Sequence, residues 1–526
     1  MKTDSSLSHT LRTLRRILPR RAAFAGTLLL TAIAGNACDA GDGAGAGASG
    51  GAFSSGGAFG SGGGLSASGG TSGTPGSAGL GASGTATGGA LAAGGSAGAS
   101  SGGTSSGAGT SSGGSATGGA PAAGGAALGG SAAMAGNAGS VSTAGSGGKT
   151  GTGNHPFPEN QRLERCTYPT NVNPEHARTA YQRWKTEIVT ADGARGHLRT
   201  KRPNSPGAET NSTVSEGIAY GMLIAVAMGD QPLFDSLWKY SQEFLNENGL
   251  MHWYINAAGT QVLGSGGATD SDEDIAWALV MASRQWGGSG SLDKPYLDHA
   301  KAQIQRIWDH EIDHGRGDLV LAGDTWNEVV FNPSYFAPNQ YRIFGMVSGK
   351  TADWNRVIDT GYATLAKCLN SQNGNADNGL APAWCNTEGA PTGTNGASNY
   401  QYDSARVPFR IGQDYCYSGE PRAREYLVKV SAFFAGVGAA NIVDGYGLDG
   451  SPQPDKDSDP NGPQSAVFVG SAAVGAMHDA KYQSFIDDAY ARVATGELLA
   501  RSVYYNHSWT TLSLLMLSGN LIEYAP

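Results

Sequence analysis

Between Gly43 and Gly148 the chain carries no charged residue, and Gly, Ala, Ser and Thr fill the stretch with scattered others. Such a segment buries too little apolar surface to offset the entropy of ordering it, so it is expected to be a flexible tether. Its mean end-to-end reach would be roughly 55–60 Å. Any sizeable fold is therefore confined to the residues C-terminal to the tether. Residues 154–526 are long enough for one large domain, and no second linker interrupts them.

The net charge is −9, with no long basic run beyond the tether. That argues against a nucleic-acid partner and suits a neutral or weakly charged one. Ahead of the tether stand Arg12, Arg15, Arg16, Arg20 and Arg21, then the apolar run from Ala22 to Ala34, then Ala37 and Cys38. A basic stretch, a short apolar run and small residues at the exit make residues 1–38 an export signal, too short for a comfortable transmembrane helix. Cys38, after Gly35-Asn36-Ala37, is similar to the lipidated cysteine of bacterial lipoproteins, although the usual Leu three residues earlier is missing. Plain cleavage and secretion is the simpler alternative. Residues 39–153 are then the linker. Four cysteines remain, Cys166, Cys368, Cys385 and Cys416. They permit two disulfides in an oxidising compartment, with three pairings open. Cys368 with Cys385 is the first choice because its loop is short; four buried thiols is the alternative.

Beyond Asn154 the apolar pattern has a helical period. Ile275, Leu279, Ala282 and Trp286 fall on one face, and Ile218, Met222 and Val226 repeat the pattern. Residues 296–310, 354–369 and 509–517 also read as helices, separated by long loops at 311–340 and 370–400. Alternating strand patterns are scarce. The expectation is an all-α fold of antiparallel helices with functional loops at one end.

One segment holds more acid than a fold requires. In Ala268-Thr269-Asp270-Ser271-Asp272-Glu273-Asp274-Ile275 four carboxylates crowd into five residues before an apolar helix. Each raises the cost of ionising its neighbours. A capping box, with Asp270 at the helix start and Glu273 reaching back, accounts for one or two of them and not for four. Upstream lies Ser215-Glu216-Gly217, and downstream Tyr402-Asp403-Ser404-Ala405-Arg406. Taken singly, Glu216 suits a first helical turn and Asp403 a surface ion pair.

As an ordered set, these segments resemble the active site of glycoside hydrolase family 8, over essentially the whole folded region. The signature Ala-Thr-Asp-Ser-Asp-x-x-Ile-Ala departs only at Ser271, where Ala or Gly is usual. Gly249-Leu250-Met251-His252-Trp253 and Asn332-Pro333-Ser334-Tyr335-Phe336-Ala337-Pro338 are similar to the cellulase branch. The resemblance implies an (α/α)6 barrel and an inverting endo-β-1,4-glucanase. In it Glu216 is the general acid, Asp403 the general base, and Asp270 grips the distorted sugar. Arg406 would belong to the substrate site and keep Asp403 charged. An inverting pair leaves room for water, roughly 6.5–9.5 Å between carboxyls. Trp253, Trp326, Tyr335 and Tyr505 match positions that line the cleft, whereas Trp277 and Trp286 read as core. No metal or cofactor is expected, the partner is a polysaccharide, any membrane contact is through the lipid anchor, and the chain is expected to be a monomer. A β-1,4-xylanase is the runner-up, because xylose lacks only the C6 hydroxymethyl.

Other readings are weaker. His310-Glu311-Ile312-Asp313-His314 matches the zinc-protease pattern, but Gly315-Arg316-Gly317 should end that helix and no third ligand is evident. Gly94-Gly95-Ser96-Ala97-Gly98 matches a serine-hydrolase elbow in a segment without a scaffold. Asp455, Asp457 and Asp459 begin like a calcium loop, yet Pro460 stands where such loops need Gly, so a solvated loop is expected. A carbohydrate-binding protein without catalysis would have lost Glu216 or Asp403, and both are present. For the anchor, Cys38→Ser is expected to release the protein from membranes at unchanged specific activity. Wild-type protein already soluble in its native host would overturn the anchor.

Overall fold

The computed structural model describes residues 153–326, 330–392, 399–458 and 462–521. The export signal 1–38 with Cys38, all but the last residue of the linker 39–153, and Asp459-Pro460 lie outside the described residues. Twelve α-helices dominate the described part: α1 Pro174–Ile188, α2 Ser215–Met228, α3 Gln231–Gln242, α4 Thr269–Gln285, α5 Tyr296–His310 and α6 Pro338–Ser348, followed by α7 Thr351–Cys368, α8 Val407–Ser418, α9 Pro421–Val437, α10 Ala466–Ala476, α11 Gln483–Ala494 and α12 Val503–Leu517.

The even-numbered helices pack side by side in the order α2, α4, α6, α8, α10, α12 and back to α2, which closes a ring. Each odd-numbered helix lies against a ring member: α3 on α2, α5 on α4, α7 on α6, α9 on α8, α11 on α10 and α1 on α12. An inner ring of six inside an outer six is consistent with an (α/α)6 arrangement. Burial follows the layers. Every residue of α2 and α10 is buried, whereas α1 buries only Ala177, Trp184 and Ile188. This corrects the expectation of a one-faced stripe in α2 and α4. Residues 269–282 are buried all round, because an inner helix faces the ring on one side and the outer layer on the other.

The predicted helices 296–310 and 354–369 correspond to α5 and α7, and 509–517 is the second half of α12. The expected loops hold short strands. Val330–Phe331 pairs with Cys385–Asn386, and Thr213–Val214 pairs with Tyr254–Ile255, antiparallel in both cases. Each strand is two or three residues long, too short for a period of two to show in sequence. Cys368 is bonded to Cys385, and Cys166 to Cys416, so the free-thiol alternative is overturned. Among the described residues no helix is long and apolar enough to cross a membrane.

The outer layer touches the loop before α6 at one tight point. A Cβ added to Gly361 in α7 would come within 2.1 Å of the Phe336 ring, and Phe336 follows Tyr335. Gly361→Ala is therefore expected to destabilise the domain by roughly 1–3 kcal/mol through overpacking. Thermal unfolding checks this; an unchanged midpoint would mean that residues 333–336 give way freely.

Candidate active site

The N-terminal ends of inner helices converge. Glu216 is the second residue of α2 and Asp270 the second of α4, while Asp403 and Arg406 sit in the turn leading into α8. Tyr504 and Tyr505 begin α12, and Tyr335 lies in the short 3-10 turn Pro333–Tyr335 before α6. Helix starts are rigid and leave backbone N–H groups and a positive dipole end facing acids, which favours carboxylates there. Neither α2 nor α4 has a side-chain cap; the N-cap of α4 is Ala268. The capping-box account of Asp270 and Glu273 is thereby corrected.

Arg406 draws the acids together. Its Nη1 donates to Glu216 Oε2 at 2.9 Å and to Asp270 Oδ2 at 2.5 Å, and its Nη2 donates to Asp403 Oδ1 at 3.1 Å. Nη1 also reaches the Tyr220 hydroxyl at 3.1 Å, and the guanidinium lies over the Tyr335 ring. Arg406 is wholly buried. Its charge offsets that of the three carboxylates it binds. Tyr504 donates to Glu216 Oε1 at 2.8 Å, and Gln401 to Asp403 Oδ2 at 3.2 Å. Gly217 makes the Tyr504 contact accessible, since a Cβ there would fall 2.9 Å from the Tyr504 ring.

Burial raises the Glu216 carboxyl to about 7, with the charges of Asp270 and Asp403 adding to the rise and Arg406 opposing it. Asp270 is also raised, by burial first, against the pull of Arg406. These groups open on a cavity lined by Glu216, Asp270, Trp253, Tyr335, Tyr504 and Tyr505, with Arg202 and Arg501 at its sides. Trp326 lies in a neighbouring cluster, stacked on Trp384 at 5.4 Å and 14°, and Trp384 in turn abuts Tyr335 at 5.9 Å. Trp277 is buried core, and Trp286 packs on Phe234 and Tyr296. Tyr504 and Trp384 carry no distinguishing pattern in the sequence; adjacency to Tyr505 and to Cys385 is the only signal.

The other three acids of the signature face away from the cavity. Asp274 accepts from Arg410 of α8 and Gln340 of α6, and Glu273 accepts from Tyr341 of α6. Asp272 accepts from Gln303 of α5, and its charge adds to burial in raising the Glu311 carboxyl. They fasten α4 to its neighbours. The zinc-protease pattern dissolves here as well. His310 ends α5, Glu311 is fully buried beside Asp272, and His314 belongs to the next turn, bonded to Asp318. Among the described residues no three ligating side chains gather for a metal. Asp455 is paired with Arg501 at 2.5 Å.

The sequence profile of Glycosyl hydrolases family 8 matches residues 167–519. Endoglucanase A of Acetivibrio thermocellus is 36% identical over 65% of this chain and 68% of its own length. A reducing end xylose-releasing exo-oligoxylanase of Halalkalibacterium halodurans is 28% identical over 59% of this chain and 81% of its own. Among solved structures, the beta-1,3-1,4-glucanase of Paenibacillus sp. X4 superposes with a TM-score of 0.63 at 27% identity, covering 70% of this chain and 99% of that one.

Asp272 and Glu311 are two buried acids whose mutual repulsion favours a proton on one of them. Burial first, and the negative charge of Asp324, hold both carboxyls well above the usual range. A carboxyl raised by folding contributes stability that is complete below its unfolded value and lost as pH rises through its folded one. The thermal midpoint is thus expected to fall on the alkaline side, and Glu311→Gln to flatten that fall. Midpoints measured between about pH 5 and pH 9 test it; an unaltered slope in the variant would exonerate the pair.

Proposed function

The chain belongs to family 8 of the glycosyl hydrolases, and from that premise we propose that it is an endo-acting β-1,4-glucanase that inverts the anomeric carbon. The observation that carries the reading is the gathering of Glu216, Asp270 and Asp403 on one buried guanidinium beside an aromatic-lined cavity. Glu216, raised to about 7, holds a proton at working pH and delivers it to the leaving glycosidic oxygen. Asp403 takes a proton from the attacking water on the opposite face of the sugar. The two carboxylates bind different nitrogens of Arg406 rather than each other, an arrangement compatible with a water between acid and base. Asp270 accepts hydroxyl hydrogen bonds from the sugar at the cleavage point. Trp253, Tyr335 and Tyr505, with Trp326 further along, offer flat faces to the C–H faces of glucose units.

The relative named an endoglucanase supports the glucan reading, and the one named an exo-oligoxylanase keeps β-1,4-xylan as the second reading. Export by residues 1–38, anchoring through Cys38, the tether 39–153 and a monomeric state belong to the same proposal, on the sequence pattern alone.

Inversion makes the first product the α-anomer, so NMR of fresh hydrolysate is expected to show the α signal before mutarotation. Glu216→Gln should lose at least the roughly 10²–10⁴-fold that acid assistance supplies. Much of that should return on a substrate whose leaving group needs no proton. Asp403→Asn should be partly rescued by azide, with an α-glycosyl azide as product, and Asp270→Asn should not. Initial β-anomer would sink the inverting assignment, and azide rescue of Asp270→Asn alone would exchange the two aspartates.

A further inference from the structure

Arg202 stands apart from the other buried arginines. It is 5% exposed and lines the cavity that holds Glu216 and Asp270. Its Nε and Nη2 both donate to one weak acceptor, Ser212 Oγ, at 3.2 and 3.0 Å. The guanidinium lies over the Tyr254 ring, 4.5 Å from its centre, with the Tyr254 hydroxyl as a further neighbour. Among the described residues it has no ion pair, and Glu216 acts on it only through charge at longer range. By contrast, Arg406 has three carboxylates, Arg410 has Asp274 and Arg501 has Asp455. Arg199, without an ion pair, is satisfied by three backbone carbonyls and the Thr213 hydroxyl.

A buried guanidinium keeps its charge and presents five N–H donors in a planar fork. Leaving such a charge without an anion is costly unless something completes it. Arg202 lines the cavity together with Trp253, which adjoins Tyr254. A neutral glucan would give it only hydroxyl oxygens. A carboxylate would give it a bidentate, charge-assisted partner. Placed near Glu216, that carboxylate would otherwise push the acid further up, and the Arg202 charge absorbs the effect.

We propose that Arg202 forms a subsite for a carboxylate-bearing sugar, so that the cleft accepts β-1,4-glycan chains carrying uronic-acid units near the cleavage point. This rests on the glycosidase reading above and names its substrate class more narrowly. The test uses the full chain on two matched pairs: cello-oligosaccharides with and without a C6-oxidised unit, and xylo-oligosaccharides with and without a glucuronic-acid branch. The quantity read is the ratio of kcat/KM for the carboxylated over the neutral member. Wild type is expected to cleave the carboxylated member of whichever backbone it accepts. Arg202→Gln should lower the ratio roughly 10- to 100-fold, the size of a charged hydrogen bond, and Arg202→Lys should recover part of it. A ratio unchanged in Arg202→Gln, with both substrates falling together, would make Arg202 a structural residue and overturn the inference. So would a wild type that refuses the carboxylated member of a backbone it cleaves when neutral. Cleavage of xylan and not glucan would sink the glucan reading alone, leaving the Arg202 ratio to be read on the xylan pair.

Discussion

One guanidinium facing three carboxylates leaves an excess of negative charge, and the rest of the site depends on that imbalance. Arg406 carries a single positive charge, and Glu216, Asp270 and Asp403 all reach it. In water the excess negative charge would be screened; here Arg406 is wholly buried and the three acids nearly so. Ionising all three against one cation is the expensive state, so the cluster relaxes by keeping a proton. Glu216 is the residue pushed up to about 7, with burial as the main cause. Its hydrogen bond from Tyr504 pulls the other way and does not prevail. Burial, with the charges of Asp270 and Asp403 added to it, thus sets Glu216 apart from an ordinary carboxylate.

Holding such a cluster takes a scaffold that does not yield. The inner ring provides it, because its helices are packed on both sides and their N-terminal ends deliver the side chains. Here the remaining acids of the signature find their purpose. Asp272, Glu273 and Asp274 bind Gln303, Tyr341, Gln340 and Arg410, which belong to α5, α6 and α8. Displacing any of them would shift the start of α4, and with it Asp270. The segment 270–274 is therefore one acid for the cavity and three for its frame.

Much of this is readable in the chain, and the gaps have physical reasons. Glu216, Asp270 and Asp403 are legible because their local segments carry distinctive neighbours, and the helices 296–310 and 354–369 because outer helices keep a polar face. The inner helices α2 and α4 mislead on burial, since an apolar stripe and an all-round apolar helix share the same spacing of large residues. The partners of Asp272, Glu273 and Asp274 lie 31 to 136 positions away and no local pattern announces them. Arg406 reads in sequence as a guard for Asp403, three residues off. Its bonds to Glu216 and Asp270 span 190 and 136 positions and belong to the fold alone. Trp384 is invisible for the same reason, as its stacking on Trp326 depends on how residues 385–386 pair with 330–331.

The two buried cations at the cavity put the same physics to opposite uses. Around Arg406 the protein supplies three carboxylates to one cation, which favours retention of a proton among them. Around Arg202 it supplies hydroxyls in direct contact and the charge of Glu216 at longer range, with no carboxylate in an ion pair among the described residues. Both are lodged against aromatic rings, Tyr335 and Tyr254, which lower the local polarity while tolerating a cation. The difference lies in what stands on the open side of each fork. Arg406 is wholly buried and bonded to its acids. Arg202 lines the cavity itself, so a ligand group can meet it directly. Position relative to the cavity wall thus distinguishes an arginine bonded to three acids from one that borders the cavity.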